Sequence, residues 1–252
     1  MLICRLLEWL TIILRAVLHA KMLVLIDDLI AYLKRPYLAR IPEKVERPFN
    51  LVFKLAFICI IAGIGCGMLT GILIGLKIIP DPGPSVMDHK KMSKVLLFVM
   101  AVVWAPLTEE LLFRAQLRRF TASIAFIALS CGAVLSAIVQ TDWAFLVSPF
   151  IFIILYLVYR YNLSRSITLK FEFWKRIFPW HFHLTAICFS LVHLSNYEKG
   201  IGLLPLGILY TLPQLAVGLV LGYTRMNYGL KYSFVLHAMY NFFPVLLFLS
   251  KY

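Results

Sequence analysis

Leu55-Ala-Phe-Ile-Cys-Ile-Ile-Ala-Gly-Ile-Gly-Cys-Gly-Met-Leu-Thr-Gly-Ile-Leu-Ile-Gly-Leu76 contains no charged residue. As an α-helix rising 1.5 Å per residue it would reach about 33 Å, enough to cross the ~30 Å hydrocarbon core of a bilayer. A helix apolar on every face for that distance belongs in lipid or deep in a large core. Working outward, uncharged stretches recur at residues 122–140, 143–159, 177–196, 200–224 and 232–250. Residues 95–108 are too few alone, but a helix running on through charged residues to Leu117 completes them. The sequence therefore predicts an all-α polytopic membrane protein, a bundle of about seven transmembrane helices.

Composition agrees. Of 252 residues 62% are hydrophobic and 15% charged, where a soluble domain carries about 25%, and the mean hydropathy is +0.87. The length suits one membrane domain, and no internal repeat or low-complexity tract is visible. Lysine and arginine number 25 against 12 acids. A nucleic-acid partner would need a soluble basic face, and none is present; basic loops beside an anionic leaflet account for the excess. Fourteen basic residues fall in connections 34–49, 118–121, 160–176 and 225–231, against Lys90, Lys91, Lys94, Lys199 and Lys251 on the other side. The positive-inside rule puts the richer set in the cytoplasm, for a multi-pass protein of the plasma (inner) membrane.

Residues 1–49 are expected to form an N-terminal helix and a basic cytoplasmic segment, with the membrane domain over 50–252. Arg5, Glu8, Thr11, Arg15 and His19 recur at steps of three and four, on one helical face. That fits an amphipathic helix in the interface, with a tilted first span as the alternative. Cys4, Cys59, Cys66, Cys131 and Cys188 stand singly in apolar runs and read as buried free thiols. Gly63, Gly67, Gly71 and Gly75 form a ladder expected to let a neighbouring helix approach, and Gly218 with Gly222 is expected to do the same.

Three polar groups stand inside the apolar stretches. Ala105-Pro-Leu-Thr-Glu-Glu-Leu-Leu-Phe-Arg114 places Glu109, Glu110 and Arg114 in one helix. Each charge near a bilayer centre costs roughly 2.5–3.5 kcal/mol on insertion scales. Glu110 and Arg114 are i,i+4 neighbours and are expected to pair. Glu109 points about 100° away with no local partner, a position that suits a general base. His193 ends Phe189-Ser-Leu-Val-His193 in a span without charge, and His181 and His183 sit near the other end of that span as interfacial residues. His237-Ala-Met-Tyr-Asn241 sets an imidazole and a carboxamide on one face of the last span. Together these supply a base, an orienting group and two hydrogen-bond donors, the set needed to activate water at a peptide carbonyl. Glu109, His193 and His237 also match the two-histidine, one-glutamate set of catalytic zinc. Asn241, a poor zinc ligand and a good donor, favours a reaction without bound metal. An intramembrane transporter would also bury Glu, Arg and His, but no repeated halves are visible.

Glu109-Glu110-x-x-x-Arg114, Phe189-x-x-x-His193 and His237-x-x-x-Asn241, in that order, resemble the signature of the CPBP family, the CAAX prenyl proteases and bacteriocin-processing or immunity enzymes. Pro106, Pro213-Gln214, Gly218, Gly222 and Gly229 agree with it, and the resemblance covers residues 95–245. It implies an intramembrane endopeptidase acting on a peptide or protein substrate in or at the membrane. Glu109 would be the catalytic base working with His193, His237 and Asn241 would bind the oxyanion, and Glu110 and Arg114 would support the site. Such enzymes have been described both as metalloproteases and as glutamate proteases, and a non-catalytic immunity or scaffold member is the remaining alternative. The 84 positions between Glu109 and His193, holding two extra apolar stretches, depart from the compact pattern of the family. Counted from a helix start near Trp180, His193 would lie about 20 Å deep, beyond Glu109.

Overall fold

The computed structural model describes residues 20–39, 41–42, 44–45, 47–86, 93–139, 141–160 and 166–250. Among them all regular structure is helical, and the single β contact is an isolated antiparallel bridge between Ser85 and Tyr197. The chain divides into two units, Met1–Pro36 and Tyr37–Tyr252. In the first, α1 (Ala20–Lys34) is amphipathic: Met22, Leu25, Leu29 and Tyr32 recur on one face and Asp27 turns to the other side. The face proposed from Arg5 to His19 lies outside the described residues.

The second unit holds α2 (Pro48–Gly75), α3 (Lys94–Arg118), α4 (Phe120–Val139), α5 (Val147–Val158), α6 (Ile167–Val192), α7 (Leu212–Tyr228) and α8 (Leu230–Leu249). Four are long and apolar enough to cross a bilayer: α2, α3, α6 with its 3₁₀ extension to Asn196, and α8. A fifth candidate is bent. Residues 200–224 do not form one straight span; Gly202–Tyr210 and α7 meet at 62° around Thr211. Pro213 disfavours helical backbone in the residue before it, and polar groups gather to satisfy the break. Thr211 Oγ1 donates to the Gly207 carbonyl at 2.9 Å, shares a 2.8 Å hydrogen bond with Ser190, and Thr70 of α2 donates to the Leu209 carbonyl at 2.8 Å. In hydrocarbon, backbone groups freed by a break need such partners. The apolar part of α4, Phe120–Ser136, and the whole of α5 are shorter than the ~20 residues a perpendicular span needs.

α7 is the centre of the bundle, packed against α2, α6 and α8, while α8 also touches α2 and α3. Gly218 and Gly222 make this possible, because a Cβ at either would meet the Phe189 or Phe182 ring of α6 at 2.8 or 2.7 Å. The ladder on α2 works only at one end. Gly63 lies against Tyr240 of α8, and Gly67 lies near Pro213, but among the described residues a Cβ at Gly71 or Gly75 would meet no neighbouring helix within 4 Å. α4 packs on α5 and on the last turn of α3. Several basic residues assigned above to loops lie on helices: Lys170, Lys175 and Arg176 on α6, Arg118 on α3 and Arg225 on α7. The α7–α8 link is Gly229 alone, at φ +106°, ψ 168°, a backbone region nearly restricted to glycine.

Candidate active site

The site grows from an irregular helix. α3 contains two π-helical turns, Met100–Trp104 and Glu110–Arg114, separated by a single α-helical turn that carries Pro106. Proline has no N–H and breaks the regular ladder, and π turns recur at functional sites because they re-aim side chains. Here the second π turn begins at Glu110, so the two adjacent acids meet different neighbours.

Glu110 and Arg114 are each only 1% exposed, with Nε 3.6 Å from Oε1. The Arg114 guanidinium lies 3.8 Å above the Phe189 ring, and its Nη2 donates to the Gly218 carbonyl at 3.4 Å. Glu110 Oε2 accepts from the Ser233 hydroxyl, and Oε1 faces His237 Nδ1 at 3.0 Å. The expected Glu110–Arg114 pair is present, with two partners on α8 that complete its shell. Arg225 Nε donates to the Arg114 carbonyl at 3.1 Å, which ties α7 to this turn of α3.

Glu109 is 26% exposed and faces the two histidines instead. Its Oε2 is 3.6 Å from His237 Nε2 and 4.0 Å from His193 Nε2, and this oxygen atom, itself buried, has no hydrogen-bond partner among the described residues. His193 stands where α6 tightens into its 3₁₀ extension. Its Nδ1 is 2.8 Å from the Phe189 carbonyl, which can only accept, so Nδ1 carries the proton and Nε2 presents a lone pair. The depth expected for His193 does not separate it from Glu109, whose Oε2 is 4.0 Å away, and α6 begins at Ile167 rather than near Trp180. Asn241 Nδ2 donates to the Ala101 carbonyl at 3.0 Å, which commits one of its two N–H groups to the first π turn of α3.

The structure thus brings Glu109, Glu110, Arg114, His193 and His237 into one cluster, with Asn241 one helical turn beyond His237. Two contributors escaped the sequence reading as site residues. Ser233 was signalled by its spacing, since 233, 237 and 241 share one helical face. Phe189 is the hub: its carbonyl sets the His193 tautomer, and its ring packs on His193, His237 and Arg114 with centroid distances of 4.9, 5.7 and 3.8 Å. The Phe189-x-x-x-His193 motif marked its position, but not the role of its ring and carbonyl. His181, read above as interfacial, is 4% exposed and bonds at 2.6 Å to Gln116 of α3.

Zinc would impose a strict geometry on the same atoms. Ligand atoms held at 2.0–2.2 Å in a tetrahedron stand about 3.4 Å apart, and the gaps to Glu109 Oε2 are 3.6 and 4.0 Å. Among the described residues no three His, Cys, Asp or Glu side chains form a group that could hold a metal ion. The residues do not fit a metal as they stand.

No curated protein and no solved structure matches the chain. The family model described as Type II CAAX prenyl endopeptidase Rce1-like matches residues 91–243, a span that covers more than half the chain and every side chain of the cluster. Three short motifs pointed to a CAAX-protease signature, and over that span the expectation holds: the chain belongs to the Rce1-like type II CAAX prenyl endopeptidase family.

Proposed function

We propose that this protein is an intramembrane endopeptidase that cleaves peptides or proteins held at the membrane, using water activated by Glu109 and His193. One observation carries the reading: two hydrogen-bond acceptors without donors, Glu109 Oε2 and His193 Nε2, face each other across 4.0 Å. Acceptors in direct contact would gain nothing. A water oxygen placed about 2.8 Å from both subtends roughly 90°, close to the angle between its own O–H bonds, and satisfies both. Glu109 then takes one proton as the oxygen attacks the peptide carbonyl carbon. His237, with Nδ1–H held by Glu110 and a second proton on Nε2, and the second N–H of Asn241 donate to the oxyanion. When the tetrahedral intermediate collapses, the C–N bond breaks and Glu109 returns the proton to the leaving amine. Glu110 and Arg114 hold the constellation rigid. No step passes through a metal.

The proposed layout has seven crossings, counting α4, α5 and the bent pair, within a protease domain over residues 50–252. The Lys/Arg-rich connections face the cytoplasm; Lys77 joins the basic residues of the opposite side and leaves the bias clear. Ser164→Cys and Ser250→Cys, in a chain freed of its own cysteines, should react with an impermeant maleimide from opposite sides. Labelling from one side would overturn the seven-span layout.

The activity is tested by incubating the purified protein with membrane-presented peptides, prenylated and not, and reading new termini by mass spectrometry. Cleavage that survives chelation and disappears in His193→Ala supports the reading. Stoichiometric zinc whose removal and return switch activity off and on would contradict the metal-free mechanism. Binding without cleavage by wild type would favour a non-catalytic scaffold.

A further inference from the structure

α7 ends at Tyr228, α8 begins at Leu230 and α2 begins at Pro48, and a pocket of about 670 Å³ lies where these three ends meet. Its walls carry Lys44, Arg225 and Lys231, the rings of Tyr228 and Tyr232, and the aliphatic side chains of Ile41 and Val45. Among the described residues no acidic side chain lines it, and no carboxylate forms an ion pair with these three cations. Arg118 and Arg119 lie near enough to Arg225 to repel it, and the buried Glu110 near enough to attract it more weakly. Like charges gathered in a concave site raise the potential inside it and favour an anion. Arg225 uses Nε on the Arg114 carbonyl and makes no other hydrogen bond among the described residues, which leaves its terminal nitrogens available. Lys231 rests over the Tyr232 ring at 5.0 Å with its ammonium otherwise uncommitted.

Apolar helices end here, so the pocket sits at headgroup depth. Directly after Pro48, Phe49, Phe53 and Phe57 follow at steps of four along α2, all at least half exposed. They form a stripe along which acyl chains can lie.

We propose that this pocket holds the headgroup of an anionic phospholipid, with the phosphate against Lys44, Arg225 and Lys231 and the chains along the phenylalanine stripe. Aromatic rings beside cations at an interface, continuing into an apolar track, suit a lipid better than free phosphate, which has no use for the track.

The test uses the full chain in detergent micelles, with phosphatidylglycerol, phosphatidylcholine and inorganic phosphate as separate probes. Native mass spectrometry reads retained lipid, and thermal unfolding reads stabilisation. Each basic residue near an anionic headgroup contributes enough to change affinity roughly fivefold. The Lys44→Gln/Lys231→Gln double variant should therefore bind phosphatidylglycerol about 30-fold more weakly. Lys94→Gln, at the far end of α3, should not change it. Preferential retention of phosphatidylglycerol by wild type, lost in the double variant alone, supports the site. Equal retention of phosphatidylglycerol and phosphatidylcholine would overturn it, as would unchanged affinity in the double variant. Stabilisation by inorganic phosphate equal to that by the lipid would also overturn it. None of these readouts depends on proteolysis.

Discussion

Two polar clusters lie about two turns apart on α3, both completed by α6, and they are built differently. In the first, Gln116 accepts from His181 at 2.6 Å and donates to Thr185 at 3.2 Å and to the Phe113 carbonyl at 3.1 Å. Thr185 returns a hydrogen bond to the His181 carbonyl at 2.8 Å, and Ser123 of α4 reaches Gln116 at 2.9 Å. Every member is at most 5% exposed. In the second, Glu109 and His193 are 26% and 18% exposed, and their facing oxygen and nitrogen atoms are 4.0 Å apart. His181 Nδ1 is the first cluster's one buried atom without a partner among the described residues. A network so tightly enclosed leaves no room for a reactant, and its gain is a fixed join between α3, α4 and α6. An open one, held by rigid neighbours, is where water and a substrate carbonyl can enter. The same contrast divides the two adjacent acids, since Glu110 has partners on Arg114, Ser233 and His237 while Glu109 Oε2 has none.

The comparison can be broken most forcefully at Arg114. Arg114→Ala leaves Glu110 buried without its cation and should cost about 3–5 kcal/mol of stability as well as activity. A variant that unfolds at the wild-type temperature would show that the closed half of the site is not structural. Next comes the Gln116 network. Gln116→Ala strands His181 and Thr185, a loss of about 1–3 kcal/mol, while turnover per folded molecule should stay within a few-fold of wild type. A large drop in turnover at unchanged stability would assign Gln116 to the chemistry. The smallest effect is expected at Ser233. Ser233→Ala removes one of several donors to Glu110 and should cost about 1–2 kcal/mol. Ser233→Thr, which keeps the hydroxyl, should restore at least part of that loss in a melting experiment.

The cluster was legible in the sequence because charge inside an apolar run is so costly that Glu109, Glu110 and Arg114 stand out at once. The spacing 189/193 and 237/241 did the rest. What could not be read was decided by partners far along the chain. Gln116 and His181 are separated by 65 positions, and only folding shows that the histidine is enclosed rather than interfacial. The break at Thr211 is hidden in an uncharged run because its compensating hydroxyls, Ser190 and Thr70, come from other helices. The glycine ladder on α2 has an ideal spacing, yet at Gly71 and Gly75 no described helix approaches. A periodic pattern states which residues share a face and not what meets that face.

The central claim is that the open acid does chemistry and the closed one does structure. Glu109→Gln keeps size and polarity while removing the base, so it isolates that claim. Turnover of a cleavable membrane peptide and the unfolding temperature should be measured on the same preparation. The account predicts a fall in turnover of about 10²–10⁴, with unfolding within a degree or two of wild type. Wild-type turnover in Glu109→Gln, or a loss of activity that follows only from unfolding, would contradict it.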